Sequence, residues 1–281
     1  MLHVALSVFP YRQRKLHWTV AELKERLGVR VLREMEVDGF LLSADPFDGP
    51  GKSFWREGLT EPETRRVVAD ILKPGAVMFD VGAYVGQFSL VASRVAPEIR
   101  IFAFEPTPQV FAQMQRNIRR NGCKNTTCIQ AALSDSPGTA KLFYYPQSHD
   151  QNSLKALDPG ARSVEVRVET VDSVIAQQRL NRLDLLKIDT EGNELAVLRG
   201  ATTTLATLRP RLIVEISRHQ RTYGYSGREI AQLLQSKGYT IRRIGQTCEP
   251  YIFHEEEIGP RCSHFNIVAE PPVASATSGL R

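Results

Sequence analysis

The sequence has few of the features that mark several protein classes. It contains only four cysteines, Cys123, Cys128, Cys248 and Cys262. They form no CxxC pair and match no zinc spacing, which excludes a disulfide scaffold or a cysteine-held metal and suggests reduced thiols in a cytoplasmic protein. No run of about 18 apolar residues occurs, so no membrane-spanning helix is expected. The apolar stretch Val4–Phe9 is short and is followed, not preceded, by basic residues, unlike a signal peptide. Extreme charge is also missing: the formal net charge is +5 and the pI about 9.1. The basic clusters Arg12, Arg14, Lys15 and Arg116, Arg119, Arg120, Lys124 are weaker than the Lys and Arg stripe of a nucleic-acid binder, so no nucleic-acid partner is expected. They read as solvated faces, the alternative being docking of an anionic or carrier-bound substrate. No internal repeat is visible. Oligomeric state is left open, a dimer included.

From Ala76 the chain alternates short apolar runs with helical patterns. Strands are expected at 76–81, 100–104, 126–133, 183–188, 211–216, 239–244 and 265–269, with helices at 87–96, 109–121, 193–199 and 226–237. This alternation implies a mostly parallel α/β sheet, and right-handed crossovers place helices on both faces. Lys141–Tyr145 and Val164–Thr170 alternate with period two and read as an antiparallel insertion, joined by a polar loop over 146–161 that could serve as a lid or substrate-recognition loop. Before the sheet, Thr19–Arg33 reads as a helix and Asp38-Gly39 as a hairpin turn. Asp48-Gly49-Pro50-Gly51 reads as further turns, and Glu61–Leu72 as a helix capped by Thr60. The expected organisation is an extension over 1–55, a main domain over 56–270 with an insertion at 139–170, and a disordered tail over 271–281.

In an open α/β sheet ligands bind beyond the carboxyl ends of the strands. The residues there are Asp80-Val-Gly-Ala-Tyr-Val-Gly86, Glu105-Pro106, Ala131-Ala132, Asp189 to Glu194, and Glu215. Gly82 and Gly86 flank a tight turn with free N–H groups behind it. Tyr84-Val85 departs from GxGxxG and argues against a dinucleotide pyrophosphate, so a nicotinamide-dependent oxidoreductase is the weaker alternative. A strand-end carboxylate such as Asp80 needs a partner, and an amino-acid ammonium would supply one. Glu105, about 20 residues past the glycine loop, suits ribose hydroxyls. Together these features describe an adenosyl-amino-acid site.

The fourth major strand carries Lys187, Asp189, Glu191 and Glu194 within a few residues. Asp189 and Glu215 end neighbouring strands, so their carboxylates could converge on a divalent cation such as Mg²⁺, or one could act as a base. His219 is a further candidate base; Glu194 reads as a first-turn helix acid, and Glu191 could be another or belong to the charged cluster.

The segments FDVGAYVGQFS (79–89), FEPTP (104–108), DLLKIDTEGNELAVLRGA (184–201) and IVEI (213–216) resemble the FkbM-type methyltransferases, and the resemblance covers about residues 60–245. It implies a Rossmann-like, seven-stranded, mostly parallel sheet. It also implies S-adenosyl-L-methionine as methyl donor and O-methylation of a hydroxyl on a small molecule, natural product or glycan. By that resemblance Asp80, Gly82, Ala83, Tyr84 and Gly86 hold the methionine end and Glu105 and Pro106 the ribose. Ala132, Leu133 and Ser134 flank the adenine by position, and Asn117 matches a recurrent asparagine. A non-catalytic S-adenosylmethionine binder is the other alternative; Asp189 and Glu215 speak against it.

Overall fold

The computed structural model describes residues 32–45, 49–96, 98–145, 148–156, 161–245 and 264–272. Most of the helix expected at 19–33, the first basic cluster, Cys248, Cys262 and residues 273–281 lie outside these. Arg33, expected to end that helix, instead opens a strand.

Seven strands form the main sheet: β3 (Val77–Val81), β4 (Arg100–Phe104), β5 (Thr126–Ile129), β10 (Leu185–Ile188), β11 (Arg211–Ser217), β12 (Thr240–Arg243) and β13 (His264–Glu270). Their order is β12-β13-β11-β10-β3-β4-β5. The pairs β11/β10, β10/β3, β3/β4 and β4/β5 are parallel, and β13 runs antiparallel to both its neighbours. The sheet is thus seven-stranded and mostly parallel, as the strand-helix alternation predicts.

The apolar runs are continuous because both faces are covered. Along β3, Val77, Phe79 and Val81 enter one cluster with Val174, Leu198, Leu205 and Leu234. Met78 faces the other way, with Val68, Ile71, Phe88 and Ala92. The first set of partners lies on α5 (Val171–Gln177), α6 (Glu194–Arg199), α7 (Thr202–Thr207) and α8 (Gly227–Ser236), and the second on α2 (Pro62–Ile71) and α3 (Gln87–Ser93). With period-two side chains, a strand buried on both sides is apolar at nearly every position, the exceptions here being Asp80 on β3 and Lys187 on β10.

Ahead of the sheet, β1 (Arg33–Val37) and β2 (Phe40–Ala44) form the expected hairpin. Its turn residues Asp38 and Gly39 both have positive φ, 49° and 75°, as a two-residue hairpin turn requires. The hairpin rests on α4 (Pro108–Arg120). Asn117 accepts from Ser43 N at 2.8 Å and donates to Val85 O at 2.9 Å, so this side chain ties the hairpin and the glycine loop to the helix. Arg116, Arg119, Arg120 and Lys124 are exposed, as expected of a solvated face.

Several local expectations are corrected. Gly49-Pro50-Gly51 begins α1 (Gly49–Glu57) instead of a string of turns. Glu61, at φ 53°, caps α2 in place of Thr60. The run 126–133 divides: β5 stays in the main sheet, while β6 (Ala132–Leu133) joins β7 (Gly138–Tyr145), β8 (Ser148–Ser153) and β9 (Arg162–Glu169) in a second sheet of order β6-β9-β7-β8. Part of the polar stretch expected as a loop is therefore strand β8. Helices α5 and α7 were not anticipated. No helix among the described residues is long and apolar enough to cross a membrane.

Candidate active site

The carboxyl ends of β3, β4, β10 and β11 open onto a cavity of about 400 Å³. The strand-end rule locates it, because parallel strands there end in loops instead of ladder bonds. Of the sequence candidates, Gly82, Ala83, Tyr84, Glu105, Pro106, Ala132, Leu133, Asp189, Glu215 and His219 all line it. Thr60, Glu61, Ser153 and His264 are wall residues to which the sequence gave no site role, while Asn152 comes from the stretch expected as a lid or recognition loop and Glu191 from the charged run after β10.

The glycine loop is held by its neighbours. Gly82 N and Ala83 N both donate to Phe104 O, at 3.1 and 2.9 Å. Glu105 accepts from Tyr84 N through Oε2 (3.2 Å) and from Thr107 N through Oε1 (2.9 Å). These bonds orient the carboxylate, and each oxygen can accept a further bond. Gly86, at φ 91°, is not in the wall; it caps α3 and packs toward Met114.

Asp80 is set back from the cavity. It is fully buried and lies outside the cavity wall. Its Oδ2 accepts from Ser89 Oγ at 2.7 Å, and it sits in register with Lys187 on β10. Its Oδ1 has no hydrogen-bond partner among the described residues, and Lys187 acts on it through charge without an ion-pair contact. Burial raises the Asp80 pKa, while Lys187 and the Ser89 bond pull it down. Lys187 is 1 % exposed and donates to Asp189 Oδ2 at 3.0 Å. Burial works against its charge, but Asp189, Asp80 and Glu61 outweigh that and hold its pKa above the usual lysine range.

Beyond β10 the chain turns sharply. Glu191 has φ 54° and Gly192 φ 107°. The turn is fixed from three sides. Glu194 Oε1 accepts from Thr190 N and Gly192 N, each at 3.0 Å. Tyr225 donates to Gly192 O at 2.7 Å, and Ser153 on β8 donates to Glu191 O at 2.8 Å. Glu194 is thus a structural acid. Glu191 is not a first-turn acid; it faces the cavity and hydrogen-bonds His219 Nδ1. One oxygen each of Asp189, Glu191 and Glu215 lie within 4.8 Å of one another. On β8, Asn152 also donates to Thr107 Oγ1 at 2.8 Å, so this strand closes one side of the cavity.

Clustering has an electrostatic cost. Burial, then neighbouring carboxylates, push Glu215 well above the usual range. Burial pushes Glu191 up to about 7 against the opposing His219 bond. A carboxyl whose folded pKa exceeds its unfolded value binds protons more tightly when folded. That contribution is complete below about 4.5 and is lost as pH rises through about 7. In metal-free buffer the melting temperature should therefore fall by a few °C between about pH 5 and 8. Glu191→Gln should flatten the slope; an unchanged slope in that variant would contradict this origin.

Comparison with known proteins adds the decisive finding. The Methyltransferase FkbM domain family matches residues 80–241, more than half of the chain. The chain belongs to the FkbM methyltransferase family. It is similar to Methyltransferase sdnD of Sordaria araneosa, with 31% identity over 196 residues, covering 58% of this chain and 73% of that one. It is also similar to the 31-O-demethyl-FK506 methyltransferase FkbM of Streptomyces tacrolimicus (28% over 199 residues, 60% and 75% covered). A third relative is the 2-O-methyltransferase NoeI of Sinorhizobium fredii (25% over 177 residues, 54% and 70% covered). As an FkbM family member the protein is an S-adenosylmethionine-dependent methyltransferase. The family match spans the glycine loop, Glu105 and the whole carboxylate cluster.

Proposed function

We propose that this methyltransferase O-methylates a hydroxyl on a small molecule, natural product or glycan. The observation that carries the proposal is the convergence of Asp189, Glu191 and Glu215 beside His219 in the cavity that also holds Glu105. Two of the similar proteins are O-methyltransferases by name.

S-adenosylmethionine, when bound, supplies a methyl group on a positively charged sulfur. The wall suits such a donor. Glu105 presents two carboxylate oxygens already oriented by backbone N–H groups, ready to accept from a ribose diol. Gly82 to Tyr84 and Pro106 border the methionine and ribose ends, and Ala132 and Leu133 offer an apolar edge to the adenine. The carboxylates on the other side favour a cationic centre.

An aliphatic hydroxyl must lose its proton as it reacts. The bond from Glu191 to Nδ1 orients the His219 ring and leaves Nε2 to receive that proton. Asp189 and Glu215 supply hard oxygen ligands for Mg²⁺, which would lower the hydroxyl's pKa. Alignment of the acceptor with the methyl group supplies the rest of the acceleration. Asp189→Asn should reduce turnover by roughly 10²–10⁴-fold, because losing this ligand would raise the hydroxyl's pKa again and slow proton removal by His219. S-adenosylhomocysteine affinity should stay close to wild type. Full turnover in that variant would remove Asp189 from the chemistry.

A further inference from the structure

The end of β11 carries two polar groups that the chemistry above does not use. Side chains alternate along a strand, so Ser217 falls on the same side as Glu215, and both line the cavity. Ser217 is 6 % exposed, yet its Oγ has no hydrogen-bond partner among the described residues. A buried hydroxyl left unpaired is costly. Across the antiparallel pair Ser217 stands opposite His264, which puts their Cβ atoms about 5 Å apart on one face. Arg218 comes next, opens the 3-10 turn Arg218–Tyr223 and also lines the cavity. The other cationic residues of the wall are engaged: Lys187 with Asp189, His219 with Glu191, and His264 within electrostatic reach of Glu61. Arg218 is exposed and forms no ion pair among the described residues.

We propose that Ser217 and Arg218, beside His264, form a subsite that binds an anionic oxygen group of the acceptor, a carboxylate or a phosphate. This rests on the O-methylation reading given under Proposed function. Sheet order separates the subsite from the donor. Glu105 follows β4, and β11 lies three strands away across β3 and β10, about 14 Å at the usual strand spacing. Asp189 follows β10, the neighbour of β11, so a group held at Ser217 belongs to the molecule that presents its hydroxyl to Asp189. The donors at this corner set the type of group. A guanidinium only donates, through a fork that matches two oxygens of a carboxylate or phosphate, and the Ser217 hydroxyl adds a further donor. An anion held here and a hydroxyl held beside Asp189 fix the acceptor at two points, and methyl transfer depends on that alignment. The anionic group therefore lies roughly 5 Å or more from the oxygen that is methylated, at least one strand spacing.

The test uses the full chain with S-adenosylhomocysteine in the donor site and three probes built on one ring. They are trans-4-hydroxycyclohexanecarboxylate, its uncharged carboxamide and trans-4-hydroxycyclohexyl phosphate, titrated by saturation-transfer nuclear magnetic resonance. The expected result is that the carboxylate or the phosphate binds roughly 10–100-fold more tightly than the carboxamide, the value of charge-assisted hydrogen bonds, and that Arg218→Gln removes the preference. The tighter of the two identifies the group. Ser217→Ala should weaken the same probe severalfold while the melting temperature stays within about 2 °C of wild type, because its Oγ supports nothing inside the protein. A lower melting temperature with unchanged probe affinity would instead make Ser217 structural and remove it from the subsite. Equal binding of the three probes, binding of none, or a preference that survives Arg218→Gln would overturn the proposal while leaving the methyltransferase reading standing. No S-adenosylhomocysteine bound by the wild-type protein would overturn both.

Discussion

Gly82→Ala should destabilise the protein by about 3–5 kcal/mol, with loss of donor binding, whereas Gly75→Ala should cost only about 1–2 kcal/mol and leave binding intact. The two glycines make a matched pair. Their φ values are nearly equal, 78° and 77°, so each substitution incurs a similar left-handed penalty. They differ in what a Cβ would meet. At Gly75 nothing lies within 4 Å. At Gly82 the new carbon would sit 1.7 Å from the Asp189 carbonyl oxygen and 2.8 Å from its carbon. That obstacle is backbone, fixed by Asp189 N donating to Val81 O at 3.0 Å, and it cannot rotate away. The loop after β10 must shift, taking Asp189 and Glu191 with it. Chemical denaturation and S-adenosylhomocysteine titration of both variants measure this. Equal behaviour of the two would mean that the close approach does not hold the site together.

Lys187→Met should cost about 3–5 kcal/mol at alkaline pH, the typical result of removing one partner from a buried charge set. For a domain of this size that corresponds to roughly 6–20 °C in melting temperature. Methionine keeps most of the volume and the contact with Phe88, whose ring centroid lies 4.4 Å from Nζ. What disappears is the cation facing Asp189, Asp80 and Glu61. The loss should shrink as pH falls, because Asp80 and Glu61 already have raised pKa values and will take up protons in its place. Adding Asp80→Asn should recover part of the stability. A penalty that is small and independent of pH would contradict the role assigned to Lys187.

How far the sequence revealed this depended on where each segment's stability originates. β3, β4, β10 and β11 were legible because strands buried on both faces are mostly apolar, with Asp80, Lys187 and Glu215 standing out against that background. The cavity followed from the strand ends. Helices α5 and α7 were not legible: β-branched residues, Val171, Val174 and Ile175 in one and Thr202, Thr203 and Thr204 in the other, disfavour helix locally, so packing decides. Strand β8, Ser-His-Asp-Gln-Asn-Ser, has no apolar alternation, and its pairing comes from β7. The full burial of Asp80 was not legible, because a strand-end acid can face either the cavity or the interior, and the neighbouring Lys187 and Ser89 come from other elements. Glu191 was left without a role because its spacing also fits a helix start. The Gly192 that follows it was the available sign of a turn that redirects the side chain.

The central claim is that the cavity beside Gly82 and Glu105 holds S-adenosylmethionine. Calorimetric titration with S-adenosylhomocysteine, with NAD as the control, tests it most directly. The account predicts binding in the micromolar range for S-adenosylhomocysteine, none for NAD, and a loss of roughly 10–100-fold in Glu105→Ala, the value of charge-assisted hydrogen bonds. Binding of NAD in preference, or S-adenosylhomocysteine binding that is indifferent to Glu105→Ala, would contradict it.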